Sequence, residues 1–188
     1  MAINVGDKIP TVDLSIMTAD GPEGISTDDI FGGKKVAIFG LPGAFTPTCS
    51  AKHLPGFVNN AEALKAKGID AIVCLAVNDV FVMGAWGKDQ NAGDHVMMVA
   101  DGSAVFTKAT GLELDLTEKG LGLRCQRFSM VVDDGEVKIP DHIERRRARD
   151  ILQELRRRAG ERHLDQPQYL PTRKGNISGH NGFCVLKD

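Results

Sequence analysis

Apolar residues along this chain alternate between short continuous runs and stretches spaced three or four residues apart, so strands and helices are expected in turn. Lys35 to Leu41 is a β-branched and apolar run bounded by Gly32, Gly33 and Pro42, which predicts a buried strand over 35–41. From Ser50 onward, Leu54, Phe57, Val58, Ala61 and Leu64 recur at helical spacing and predict a helix over 49–67. The same reading gives a strand over 69–77, a helix over 80–90 and a strand over 96–99. A hairpin is expected to turn at Asp134-Gly135 between strands 127–133 and 136–139. Ile151, Leu152, Leu155 and Ala159 mark a last apolar stripe, with Asp150 near its start and Gly160 placed to stop it. Such an order predicts an α/β fold, a central sheet of mixed strand directions flanked by helices.

Composition narrows the architecture without changing it. With 188 residues, 42% of them hydrophobic, and no long Ser/Gly or Pro linker, the chain can bury one sizeable core. One domain is expected over 1–160, followed by a polar, Pro- and Gly-punctuated tail over 161–188 that reads as flexible. The opening MAINVGDKIPTVDL has no basic start followed by a long apolar run, and no stretch approaches a membrane span, so no membrane partner and a cytoplasmic location are expected. Arg145 to Arg147, Arg149 and Arg156 to Arg158 suggest a basic face, the mark of a nucleic-acid or anionic-membrane binding module. Glu144, Asp150, Glu154 and Glu161 dilute it, the formal net charge is −2, and no aromatic residues interleave to stack bases. A solvated helix face, with no nucleic-acid partner, is the reading these charges favour. The four cysteines include no Cys-x-x-Cys pair and fit neither a zinc site nor a disulfide framework. Thiol chemistry or burial must account for them.

The run from Gly40 to Ser50 concentrates the candidate chemistry. Pro42 and Gly43 stop the preceding strand, and Pro47 stiffens the backbone just ahead of Thr48 and Cys49. Cys49 then falls in the first turn of a helix, where unpaired N–H groups and the positive end of the dipole favour a thiolate. Ionisation alone is a small lever. A free thiol of pKa about 8.5 is a few per cent ionised at neutral pH, so complete ionisation gains roughly 30-fold, about 2 kcal/mol. Nucleophilicity also falls as the pKa falls. Donors aimed at a departing oxygen in a water-excluded pocket could supply several kcal/mol more. The Thr46 hydroxyl and the loop's free N–H groups are local candidates, and a distant arginine would complete the set.

The nine residues PGAFTPTCS, Pro42 to Ser50, closely resemble the active-site loop of the peroxiredoxins, in the form of the type II, or atypical, subfamily. Three further blocks agree in collinear order: CLAVND (Cys74 to Asp79) with FVMGAWGK (Phe81 to Lys88), GLELDLTEKGLGLR (Gly111 to Arg124), and RFSMVVDDGEVK (Arg127 to Lys138). The resemblance implies a thioredoxin-like fold and a thiol-dependent peroxidase acting on hydrogen peroxide and small organic hydroperoxides. By the same resemblance Cys49 is the peroxidatic cysteine that becomes a sulfenic acid, and Thr46 holds peroxide and thiolate by its hydroxyl. Arg127 supplies a permanent charge beside the sulfur, and Pro42 shields the site from water. No metal, haem or flavin is implied. A homodimer is, through the face around the loop, where Phe45 and Phe81 are the apolar contacts. The reductant the resemblance implies is glutathione with glutaredoxin, or thioredoxin.

Bland readings stand beside these roles. Cys49 read alone is a small buried hydrophobe, Thr46 caps or turns its loop, and Arg127 pairs with an acidic neighbour. His53, one helical turn after Cys49, reads as a surface neighbour in preference to a general base. Cys74 sits in the continuous apolar run AIVCLAV and reads as a core cysteine of a buried central strand. In plant-like type II peroxiredoxins a cysteine at this position resolves the sulfenic acid, which would require the turn bearing Cys49 to unwind. The alternative is attack by an external thiol. Cys125 has no role to carry over, and Cys184 lies in the tail. After Lys138 the chain departs from the family pattern, and only the final helix is recognisable in kind. A thiol redox relay or chaperone, passing oxidation from Cys49 to a partner without rapid turnover, is the competing function.

Overall fold

The computed structural model describes residues 2–139 and 148–159. In chain order these form β1 (Asp13–Thr18), β2 (Gly21–Ser26), α1 (Thr27–Phe31), β3 (Lys35–Gly40), α2 (Leu54–Val58), α3 (Ala61–Lys65), β4 (Ala71–Ala76), α4 (Val80–Asp89), β5 (Met97–Ala100), α5 (Val105–Ala109), β6 (Glu113–Leu116), β7 (Gly122–Cys125), β8 (Phe128–Asp133), β9 (Glu136–Ile139) and α6 (Ala148–Arg158). Seven strands make one sheet in the order β2-β1-β5-β4-β3-β8-β9, and β6 with β7 makes a separate hairpin. Strands β3, β4 and β5 run parallel, whereas β1 and β8 pair antiparallel with β5 and β3. The sheet is therefore mixed, as the order of elements predicts.

Both faces of the sheet are covered, which is why its central strands read as unbroken apolar runs. Along β3, Val36 and Ile38 join Ile30, Phe31 and Phe106 in one core layer, while Ala37 and Phe39 join Leu54, Phe57, Met83 and Trp86 in the other. Strand β4 is the middle strand, and Cys74 at its centre is 0% exposed. Ala148, Ile151 and Leu152 of α6 are buried in the Trp86 layer, with Leu155 packed against it. The tail over 161–188 with Cys184, the Arg145 to Arg147 cluster and Gly160 lie outside the described residues. Among the described residues no helix is long and apolar enough to cross a membrane.

The predicted helix over 49–67 is broken into pieces, and proline is the reason. Helical bonding starts earlier than expected, with Ser50 N–H donating to the Thr46 carbonyl at 3.0 Å, because Pro47 suits a first helical position. Cys49–His53 then forms a π-turn in which Leu54 N–H reaches back to the Cys49 carbonyl. Pro55 has no N–H to give, and its ring crowds the carbonyl four residues back, so the turn ahead of it widens. At Asn59 and Asn60 the chain turns between α2 and α3, where the Asn60 amide donates to the Gly56 carbonyl at 2.8 Å. Elsewhere the expected bounds hold within one or two residues. The hairpin turns at Asp134 and Gly135 with φ of 48° and 75°, the paired left-handed conformation that an Asp-Gly turn favours.

Gly40 ends β3 and pairs with Phe128, the first residue of β8. A Cβ there would stand 2.0 Å from the Phe128 ring, so only glycine lets the ring lie across the strand end. Gly40→Ala is expected to destabilise the fold by about 1–3 kcal/mol through overpacking, read as a lower urea midpoint at unchanged m-value.

Candidate active site

Three chain segments meet at one edge of the sheet because of its strand directions. Parallel β3 and β4 both end there, and β8, antiparallel to β3, begins there. The loop after β3 carries Pro42 to Thr48, the segment after β4 carries Val77 and Asn78, and the residue ahead of β8 is Arg127. Residues far apart in sequence thereby gather around one loop, and Arg127 reaches the Cys49 sulfur.

Cys49 is 1% exposed, with the half-buried guanidinium of Arg127 beside it. Arg127 Nη2 donates to Cys49 Sγ at 3.3 Å, and Arg127 Nη1 lies 2.7 Å from His53 Nδ1. A guanidinium has only donors, so Nδ1 accepts and the neutral imidazole carries its proton on Nε2. His53 is 6% exposed, which corrects its reading as a surface neighbour. Its ring packs on Phe39 and Phe57 at centroid distances of 5.2 and 5.7 Å, and those two rings stack on each other at 3.9 Å. The physical reason is spacing: Cys49 points into the core, so a residue one turn later on the same face points inward too.

The loop itself is tied at several points. The Thr46 hydroxyl donates to the Gly43 carbonyl at 2.9 Å, and Ala44 N–H donates to Asn78 Oδ1 at 3.0 Å. Pro42 is half-buried at its start, and Phe45, 53% exposed, adopts a left-handed φ of 59° at its tip. Arg124 holds the Leu121 carbonyl through Nε at 2.7 Å and the Val77 carbonyl through Nη1 at 3.2 Å. The fully buried indole of Trp86 donates to Ser50 Oγ at 3.0 Å, anchoring the residue next to Cys49. The structure thus brings Cys49 and Arg127 into contact and places Thr46 and Pro42 in the loop ahead of them. Ser50, Asn78, Trp86 and Arg124 escape the sequence reading, although all four lie in the blocks that carry the resemblance.

The other two described cysteines sit in different surroundings. Cys74 shares a core layer with Cys49, and burial pushes its thiol well above the ordinary range, with charge at Cys49 adding to the effect. Burial likewise pushes Cys125 up to about 12, with the nearby Asp101 carboxylate adding to it. Both stay protonated and weakly nucleophilic at neutral pH. One buried sulfur beside a permanent cation can attack an electrophilic oxygen, and the cation can stabilise the anion that leaves.

A buried, cation-paired cysteine in the turn that follows a central strand and its loop, on a mixed sheet covered on both faces, is the arrangement of a thiol-based site on a thioredoxin-like fold. Residues 4–145 match the Redoxin family. The chain is 51% identical to Peroxiredoxin-2D of Arabidopsis thaliana over 138 residues, covering 73% of this chain and 85% of that one. It is 48% identical to the chloroplastic Peroxiredoxin-2E of the same plant over 142 residues, 73% of this chain and 61% of the relative. Among solved structures, reduced Prx3 of Vibrio vulnificus in complex with hydrogen peroxide superposes with a TM-score of 0.78 at 46% identity, covering 81% of this chain and 99% of that one. Peroxiredoxin 5 of Alvinella pompejana gives 0.76 at 32% identity over 82% and 99%. The chain belongs to the type II peroxiredoxins of the AhpC/TSA superfamily, and its activity is that of a thiol-dependent peroxidase.

Two outcomes follow from these surroundings. Ser50→Ala leaves the buried Trp86 N–H without its acceptor and is expected to cost about 1–3 kcal/mol, measured by urea unfolding followed through the chain's one tryptophan. The raised pKa of Cys125 keeps its thiol neutral in the fold while an unfolded thiol ionises. Its contribution to stability is therefore full below the ordinary value of 9.0 and is lost as pH rises toward 12. Urea midpoints for wild type and Cys125→Ala should converge from one side as pH is raised through that window.

Proposed function

We propose that peroxide is reduced at Cys49 and that an external thiol restores it. The observation that carries this reading is the guanidinium donor 3.3 Å from the Cys49 sulfur. The thiolate attacks the nearer peroxide oxygen, the O–O bond breaks, and two electrons pass from sulfur to the peroxide. Cys49 becomes a sulfenic acid, and the far oxygen departs as hydroxide or alkoxide, leaving as water or alcohol once protonated. Arg127 stabilises both the thiolate and that departing anion, and an arginine keeps its charge at any working pH. Thr46 holds the peroxide by its hydroxyl oxygen, and Pro42 limits water at the sulfur.

The burial of Cys74 in the middle of the central strand supports external resolution. A first thiol attacks the sulfenic sulfur, expels water and forms a mixed disulfide; a second thiol attacks that disulfide and releases Cys49. Glutathione with glutaredoxin, or thioredoxin, is the reductant class this scheme takes. Hydrogen peroxide and small alkyl hydroperoxides suit a sulfur that is almost wholly covered. Phe45 and Phe81, 53% and 66% exposed, support a homodimer through the face around the loop. In α6, Arg157 and Arg158 both bond to Glu154 and hold its carboxyl down at about 2, so an acidic residue dilutes the positive charge of that face.

Steady-state peroxide consumption with glutathione and glutaredoxin, and separately with thioredoxin and its reductase, tests the scheme. Cys49→Ser should abolish turnover, and Arg127→Ala should lower the peroxide rate constant by about 10²–10³. Cys74→Ser should keep its turnover with glutathione; loss of thioredoxin-supported turnover as well would instead favour an internal Cys49 to Cys74 disulfide.

A further inference from the structure

Three side chains converge on Gly43 in the loop ahead of Cys49. A Cβ built on this residue would stand 3.0 Å from Arg124 Nη1 and 3.5 Å from both Asn78 Oδ1 and Thr46 Cγ2. The peptide unit between Gly43 and Ala44 is held at both ends. Its N–H, on Ala44, donates to Asn78 Oδ1 at 3.0 Å, and its carbonyl, on Gly43, accepts the Thr46 hydroxyl at 2.9 Å. An N–H requires an acceptor, which assigns the amide oxygen of Asn78 to this contact. In a trans peptide the N–H and the carbonyl point in opposite directions across one plane, so fixing either orients the other.

The consequence falls on Thr46. A hydroxyl has one proton and two acceptor lone pairs. With its proton on the Gly43 carbonyl, Thr46 Oγ1 presents lone pairs and meets a ligand as an acceptor. Arg127 and the loop amides are donors, so they can hold the peroxide oxygens but not the peroxide O–H. Asn78 is well placed to fix this polarity. It follows β4 directly, its own N–H donates to the Ala76 carbonyl at 2.8 Å, and Arg124 grips the adjacent Val77 carbonyl at 3.2 Å.

Resting on peroxide reduction at Cys49, we propose that Asn78 is a positioning residue that locks the Gly43 and Ala44 peptide so that Thr46 accepts the O–H of the hydroperoxide. Without the Asn78 oxygen the peptide plane can tilt, the Thr46 proton loses its acceptor, and the hydroxyl turns between donating and accepting.

The experiment compares two electrophiles on reduced Cys49, hydrogen peroxide and methyl methanethiosulfonate, the second of which carries no hydrogen-bond donor. Asn78→Ala is expected to slow oxidation by peroxide about 10- to 100-fold and to leave thiosulfonate modification within about twofold of wild type. Asn78→Asp, whose carboxylate still accepts from Ala44 N–H, should recover most of the peroxide rate. Asn78→Gln displaces the oxygen by one methylene and carries the same expected loss as Asn78→Ala, should the alanine variant unfold. Combined with Thr46→Val, Asn78→Ala should add nothing, since both act through one hydroxyl. A wild-type protein that peroxide oxidises no faster than a free thiol overturns the peroxidase reading itself. Rapid oxidation of wild type with an unchanged Asn78→Ala rate, an equal loss toward both electrophiles, or additive losses in the double variant overturns only the positioning role.

Discussion

A guanidinium stands beside a buried sulfur only where hydrogen bonds replace much of its hydration, and the contact of Arg127 with Cys49 sets what the surrounding structure must supply. Removing a cation from water costs several kcal/mol unless hydrogen bonds replace its hydration. Arg127 gives one nitrogen to the sulfur and another to His53, and His53 in turn is held between Phe39 and Phe57. A neutral acceptor suits this place better than a carboxylate would. An acidic partner would neutralise the guanidinium and weaken its field at the sulfur, whereas an imidazole orients it and leaves the charge intact.

That contact depends in turn on the pairing of β3 with β8. Arg127 immediately precedes β8, and the register of Gly40 with Phe128 fixes how far it reaches along the sheet edge. The Phe128 ring lying over Gly40 locks the register from one core layer, while Phe39 and Phe57 lock the other. A slip by one residue would reverse which face each β8 side chain meets and carry the guanidinium away from the sulfur. Reactivity is thus built on the paired and buried centre of the sheet.

Much of this was legible in the sequence because strong local signals agreed. The unbroken apolar runs of β3 and β4 and the Asp-Gly hairpin each have one dominant physical reading, and the Cys49 loop was legible through its resemblance to a known active-site loop. The parts that were not legible have weak or conflicting local signals. Strand β2, GPEGIS, is half-exposed and contains two glycines and a proline, so it shows no period. Helix α5 is five residues long, too short to display one, and it follows Ala104 in a left-handed conformation. Pro55 within an apolar helical pattern pointed to a break, but the spacing of Leu54, Phe57, Ala61 and Leu64 survives the interruption and masked it. His53 and Asn78 act through partners distant in sequence, so the spacing of His53 from Cys49 shows a shared helix face but not its bond to Arg127, and Asn78 shows no sign of its bond to Ala44.

The same geometry bears on how Cys49 and Cys74 relate. Alternation along β4 puts Cys74 in the core layer that holds Cys49, so strand parity does not separate the two sulfurs. A disulfide requires their Cα atoms to come within about 7 Å, with the Cβ vectors facing. Cys74 cannot move, being hydrogen-bonded into the middle strand between Phe39 and Met98 in register. All of the movement must come from the turn bearing Cys49. That turn has a π-bond in place of α-helical bonds, a proline after it and a short α2 beyond, so little regular helical bonding holds it. Yet opening it also breaks the Trp86 bond to Ser50 and the His53 packing on Phe39. An external thiol needs the sulfenic sulfur to be reached from outside, a smaller opening than carrying the whole turn to the centre of the sheet.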